Sequence, residues 1–80
     1  MDESIIKKIS SILEKEVNIK FSDIDPEKDI REQVSLDSMQ FVKIIAILEE
    51  ELKIELPITI MEVSTLNEFL AVVEKELQNI

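Results

Sequence analysis

The 80-residue chain has no cysteine, no histidine and no glycine, and only two prolines. Without cysteine it can be braced neither by a disulfide nor by thiolate-bound zinc. Without histidine it lacks the usual general base, the usual imidazole metal ligand and the one side chain that titrates near neutrality unperturbed. A self-sufficient hydrolase or redox enzyme is therefore not expected. An average glycine usage of roughly 7% would give about six in a chain of this size; with none, every glycine-rich phosphate loop is excluded. Long apolar runs are missing too. A run such as Ile44 to Leu48, which none exceeds, falls far short of the roughly 20 residues that span a bilayer. The start, Met1-Asp2-Glu3-Ser4, is acidic and has neither the basic opening nor the apolar block of a signal peptide. The expectation is a cytoplasmic protein without membrane insertion.

Positive charge is scarce: 9 Lys and Arg stand against 18 Asp and Glu, for a net charge of −9. Nucleic acid is excluded as a partner, because affinity for a polyanion needs clustered Lys and Arg to displace counterions. Anionic membranes are disfavoured on the same ground. Yet 45% of the residues are hydrophobic, among them 14 Ile, 8 Leu, 6 Val and 3 Phe, too many for a disordered chain. One small domain over residues 1–80 is expected, burying about 60 to 65% of the surface it exposes when unfolded. The charge is unevenly spread. Residues 1–20 are neutral, 21–37 carry −4, 38–48 carry +1, 49–62 carry −4 and 63–80 carry −2.

Ile5, Ile6, Ile9, Ile12, Leu13 and Val17 recur at helical spacing, with Lys7, Lys8, Glu14, Lys15 and Glu16 on the other side. This predicts an amphipathic helix over about 4–17. From Asn18 to Asp37 the period is lost, but Ile19, Phe21, Ile24, Ile30, Val34 and Leu36 punctuate the polar residues. A connection this long is unusual, and its apolar punctuation predicts one packed down by its own side chains. A second helix begins at Asp37 or Ser38, both good N-cap types, and runs to about Leu52. Its apolar arc is too wide for a single face, so it either touches several other helices or leaves part of the arc for a partner. Pro57 stops it, and 58–63 has room for about one and a half helical turns. Ser64 or Thr65 then caps a last helix, with Glu68 placed three residues after Thr65 as in a capping box. No internal repeat is evident. The fold class is all-α: three main helices, a short third helix between the second and the last, and a long first loop.

Chemistry has few places to sit. Asp23, Asp25, Glu27 and Asp29 alternate as in an EF-hand loop, but Lys28 stands where the turn needs glycine and Val34 where a bidentate Glu is needed. No metal site is expected. Glu49-Glu50-Glu51 cannot converge on one substrate atom, since consecutive helical side chains point about 100° apart; a solvated or partner-facing acidic surface is the better reading. The more specific residue is Ser38, directly after Asp37 at the first turn of the most apolar helix. On position alone it reads as an N-cap. It also reads as a hydroxyl that receives a phosphate-linked group, because unpaired N–H groups and the helix dipole favour an anion there. No base accompanies it, so it would be an acceptor for another enzyme and not a nucleophile in its own right.

The stretch Ser35-Leu36-Asp37-Ser38-Met39-Gln40-Phe41-Val42, continuing through Ile47-Leu48-Glu49-Glu50-Glu51-Leu52-Lys53-Ile54-Glu55-Leu56-Pro57, resembles the acyl carrier proteins. Helix 1, the loop with Ile24-Asp25-Pro26-Glu27 and the last helix fit as well, so the resemblance covers essentially the whole chain. It implies a small four-helix acyl-carrier bundle, monomeric, free-standing and not itself an enzyme. By the same likeness Ser38 carries 4′-phosphopantetheine, transferred from coenzyme A by a phosphopantetheinyl transferase, with Asp37 assisting the modification and Mg2+ needed only transiently. Acyl groups ride as thioesters on the prosthetic thiol, which accounts for a carrier with no cysteine of its own. The implied partners are acyl-loading, elongating and acyl-transferring enzymes of fatty-acid, polyketide or related lipid biosynthesis. Phe41, Ile44, Ile45, Leu48 and Leu52 would face the core, where a growing acyl chain can shelter. Met39, Gln40, Val42, Lys43, Ala46, Glu49 and Glu50 would meet partner enzymes.

The sequence departs from the family pattern in three ways. Ser35 stands where Leu-Gly-x-Asp-Ser has glycine, which strains the backbone if that site needs a positive φ. Gln40 and Lys43 replace acids common early in the second helix of housekeeping carriers, a change that penalises partners presenting Lys or Arg there. Ile58-Thr59-Ile60-Met61 lacks the usual acids of the short third helix. A specialised carrier fits these better than a housekeeping one. Two alternatives stand beside it: an aminoacyl or peptidyl carrier of nonribosomal synthesis, and a non-carrier acidic helical adaptor in which Ser38 is only an N-cap.

Overall fold

A computed structural model describes residues 2–78. Among them are four α-helices, α1 (Glu3–Val17), α2 (Ile30–Gln33), α3 (Ser38–Leu52) and α4 (Leu66–Gln78), with 3-10 turns at Phe21–Asp23 and Ile58–Glu62. The three long helices lie where periodicity puts them. α1 starts on the Asp2 carboxylate, which accepts from the Ser4 N–H at 2.8 Å and the Ser4 hydroxyl at 2.9 Å. Those two bonds hold the Asp2 carboxyl below its ordinary pKa. Thr65 and Glu68 form the expected capping box at the head of α4: the Glu68 carboxylate accepts the Thr65 N–H and the Thr65 hydroxyl accepts the Glu68 N–H, both at 3.1 Å.

Both α1 and α3 end the same way. Asn18 and Lys53 take the left-handed conformation, with φ of 56° and 57°, the only positive φ values among the described residues. In each case the cap N–H returns to the carbonyl four residues back, of Glu14 or Glu49. The side chain of that same glutamate then reaches the other way. Glu14 accepts the Phe21 N–H at 3.0 Å, and Glu49 accepts the Leu56 N–H at 2.8 Å. Lacking glycine, the chain turns these corners with a carboxylate that pins the outgoing backbone.

The core is built from Ile9 and Leu13 of α1, the five inward residues of α3 (Phe41, Ile44, Ile45, Leu48, Leu52), and Leu66, Phe69 and Val73 of α4. α1 and α3 run antiparallel, since Glu16 lies against Lys43 while Ile12, Ile47 and Glu51 follow along one shared groove. The long loop closes the open side by burying Ile24, Ile30 and Val34. Its polar side chains hold it there. Gln33 accepts the Asp25 N–H at 2.6 Å and donates to the Asp25 carbonyl at 2.9 Å. Arg31 donates to the Val63 carbonyl at 2.8 Å and the Met61 carbonyl at 3.0 Å, with its guanidinium 5.2 Å from the centre of the Phe41 ring. Backbone bonds Ile30 N–H to Ser64 carbonyl and Asn67 N–H to Pro26 carbonyl complete the join.

Two details differ from the sequence-based expectation. The loop contains the one-turn helix α2, capped by Asp29, whose carboxylate accepts the Arg31 N–H at 2.8 Å. The short third helix is 3-10 in form: the Ile60 N–H returns to the Pro57 carbonyl and the Val63 N–H to Ile60. Five residues between Pro57 and the extended Val63 leave room for i+3 bonds and little else.

Candidate functional site

The head of α3 is built by Asp37. Its backbone is extended, its carboxylate accepts the Gln40 N–H at 2.8 Å, and the Gln40 side-chain oxygen accepts the Asp37 N–H at 3.3 Å, a complete capping box. Asp37, not Ser38, is therefore the N-cap. The reading of Ser38 as only an N-cap is corrected by this geometry, since Ser38 is already the first helical residue. Its hydroxyl is exposed and makes no hydrogen bond among the described residues. The N–H groups of Ser38 and Met39 also lack acceptors there. Exposed, uncommitted donors beside a free hydroxyl at the positive end of a 15-residue helix suit a phosphodiester on Ser38. Ser35 has no positive φ, so the missing glycine leaves no strain; Val34 and Asp37, on either side of it, are both extended.

Beside Ser38 lies an apolar surface. Met39 is 83% exposed, Val42 54% and Ile58 86%, and Ala46 is exposed between them. A hollow of about 210 Å³ is bordered by Ser38, Met39 and Val42. Val42 also borders a groove of about 290 Å³, whose other walls include Ala46, Glu49, Leu56, Ile58 and Met61. The sequence reading placed Met39, Val42 and Ala46 on this side but did not single out Ile58 and Met61. The signal was the apolar run Ile58 to Met61, of which Ile60 turns into the core and Ile58 turns out.

The polar candidates are more occupied than their positions suggest. Gln40 is half-buried and holds the cap. Lys43 Nζ lies 3.2 Å from Glu16 Oε1, with the lysine side chain 67% exposed. Glu49 is committed to the Leu56 N–H. Glu50 is exposed and unpaired among the described residues. In the loop, Asp25 and Asp29 accept the N–H groups of Glu27 and Arg31, and among the described residues no three acidic side chains gather as metal ligands do.

Inside, Leu36, Phe41, Val63, Leu66 and Phe69 surround a void of about 10 Å³, about the space of one water. The Phe41 and Phe69 rings sit 6.0 Å apart across it. In this closed form the core has no room for an acyl chain. Among the described residues no helix is long and apolar enough to cross a membrane.

No solved structure matches the chain at a significant level. The family model described as a phosphopantetheine attachment site matches residues 7–73, a span that runs from the first turns of α1 to the middle of α4 and includes the head of α3. The chain belongs to this family of carriers, which bear a covalently attached 4′-phosphopantetheine.

Proposed function

We propose that the protein is an acyl carrier whose prosthetic group is attached to the Ser38 hydroxyl and whose cargo moves between enzymes of a dedicated acyl-transfer or lipid-forming pathway. The observation that carries this reading is the division of labour at the head of α3. Asp37 does the capping, so the exposed Ser38 hydroxyl has no structural task. The prosthetic arm, when attached, supplies the thiol that this cysteine-free chain lacks. The chain's own residues present the attachment point: Asp37 fixes the first turn, its second carboxylate oxygen would assist the transferase and its Mg2+, and the uncommitted Ser38 and Met39 N–H groups would be the donors available to the phosphate. The chain acts as a carrier, and the catalytic bases belong to its partners.

Met39, Val42, Ala46 and Ile58 form the apolar centre of the docking surface in this reading, with Lys43, Glu49 and Glu50 along its edge. An apolar centre with a charged rim is the usual anatomy of a transient interface. The lysine at position 43 and the uncharged Gln40 favour partners other than those that present basic residues to an acidic helix.

The test is direct. The purified protein is incubated with coenzyme A, Mg2+ and a broad-specificity phosphopantetheinyl transferase, and intact masses of wild type and Ser38→Ala are compared. The expected result is one phosphopantetheine adduct on wild type and none on the variant. An adduct that persists on Ser38→Ala, or no adduct on wild type, overturns the assignment. Offering the modified protein to acyl-loading and aminoacyl-loading enzymes then separates an acyl from a peptidyl carrier.

A further inference from the structure

A larger groove than those beside Ser38 lies elsewhere. It runs between α1 and α3, has a volume of about 410 Å³, and is bordered by Lys7, Lys8, Ser11, Lys15 and Glu16 of one helix and Ile47 and Glu51 of the other, with Ile12 in its floor. Its size is within the range of roughly 300–1,000 Å³ of occupied binding sites. Ile12 and Ile47 are both half-buried, so the floor is apolar and open from above. Lys7, Lys8 and Lys15 are exposed and none has an ion-pair partner among the described residues. Of the two acids at the groove, Glu16 is paired with Lys43, so three unpaired lysines face one unpaired acid, Glu51, on a chain of net charge −9.

We propose that the α1–α3 groove is a second docking surface, and that its occupant is an acidic amphipathic helix of a partner protein. Charge selects the partner's sign. At the groove the unpaired Lys7, Lys8 and Lys15 outnumber the unpaired Glu51, whereas the loop 21–37 carries −4, so an acidic partner is favoured along α1 over the loop side. Spacing selects a helix. Lys8 and Lys15 are seven residues apart, two helical turns or about 10.5 Å along the axis. A third helix laid in the trough matches them with acids at i and i+7 and sets apolar residues at i+3 and i+4 onto Ile12 and Ile47. The α3 wall of the groove is Ile47 and Glu51, neither of which borders the hollows beside Ser38 and Ile58, so the surface is separate from that one and does not depend on the carrier reading.

The probe is a synthetic 18-residue peptide, acetylated and amidated, with Glu at i and i+7 and Leu at i+3 and i+4, titrated into the full chain and followed by amide chemical shifts. Its counterpart carries Gln for every Glu. Expected shifts are centred on residues 7–16 and on Ile47 and Glu51, with at least tenfold weaker binding for the Gln peptide and for the Lys8→Gln/Lys15→Gln variant, and unchanged binding for Ser38→Ala. Both substituted lysines are exposed, and the variant's circular dichroism is expected to match wild type. Three results overturn the proposal: equal affinity for the two peptides, shifts centred on Met39 and Ile58, or no binding at millimolar peptide. Two further outcomes replace the occupant and so also overturn it: lysine-dependent dimerisation in sedimentation, and lysine-dependent capture by phosphatidylglycerol vesicles. Because Ser38→Ala is unaffected here and decisive in the mass assay, the two readings fail separately.

Discussion

Removing the Arg31 guanidinium should cost this small protein a large part of its stability. The side chain bonds to two carbonyls of the 58–63 segment, at 2.8 and 3.0 Å, and covers the Phe41 ring. It thus ties the loop, the 3-10 turn and α3 together at one point. Hydrogen bonds from a charged donor contribute about 1.5–3 kcal/mol each when shielded, and an exposed cation over a ring about 0.5–1 kcal/mol. Arg31 is exposed as a residue, so the low end applies, and Arg31→Ala is expected to lose about 2–4 kcal/mol. A domain of 80 residues has about 4–12 kcal/mol in all. The midpoint of thermal unfolding should fall by roughly 10–25 °C. Urea unfolding followed by circular dichroism measures the loss. Arg31→Met keeps the methylenes and loses the bonds, and Arg31→Lys keeps the charge but not the fork, so their losses should rank Ala, Met, Lys from largest to smallest. A loss below about 0.5 kcal/mol for Arg31→Ala, the range of an ordinary surface substitution, would refute the idea that the loop is held by this side chain.

Asp37→Ala should cost about 1 kcal/mol through the lost cap while Ser38→Ala stays within about 0.5 kcal/mol, measured by the same urea titration. Lys53→Gly, placed at φ 57°, should stabilise by about 0.5–1 kcal/mol because the Cβ penalty outweighs the added freedom of the unfolded chain. Glu49→Ala should lower stability by about 1 kcal/mol and speed hydrogen exchange at the Leu56 amide, while Glu50→Ala does neither. The Asp2 carboxyl titrates below its ordinary value because Ser4 bonds to the charged form; that contribution is therefore complete above the ordinary aspartate pKa and lost as pH falls through the lowered one. Amide shifts of Ser4 followed down the pH scale should show the first turn of α1 release there, and Asp2→Asn should abolish the transition.

How far sequence reached can be judged residue by residue. The three long helices were legible, because burial of one face imposes a period that needs no knowledge of partners; the five inward positions of α3 followed only from the family resemblance, since its apolar arc is too wide to single out one face. The Thr65–Glu68 box was legible as a pair three residues apart. The pair Asp37–Gln40 has the same spacing, but Asp37 and Ser38 are both good N-cap types and adjacent, so spacing alone does not decide between them. Arg31 was not legible at all: its acceptors are carbonyls 30 and 32 residues away, and nothing local distinguishes it from a solvated arginine. The outward turn of Ile58 and inward turn of Ile60 likewise depend on which side of a 3-10 turn meets α3. At the corners Asn18 was a plausible left-handed residue, but Lys53 was not, and the glutamates that make such corners possible were read only as charge.

Those corners align two parts of the chain that simple inspection does not. Shifted by 35 residues, Asp2 falls on Asp37, the 15-residue α1 on the 15-residue α3, Asn18 on Lys53, and the pair Glu14–Phe21 on Glu49–Leu56. With the caps as anchors, Lys8 and Lys43, Ile9 and Ile44, Ile12 and Ile47, Leu13 and Leu48, and Ile19 and Ile54 also coincide. The chain thus contains an approximate repeat after all. Its two copies face each other antiparallel as subunits do across an isologous interface, with Ile12 opposite its own counterpart. That relation maps the Glu16–Lys43 ion pair onto Glu51 and Lys8, which are not paired. It also maps Ser38 onto Glu3. The protein therefore has two helix entrances, each opened by an aspartate; at the first the nearby Ser4 hydroxyl is bonded to that aspartate, and at the second the Ser38 hydroxyl is left free among the described residues.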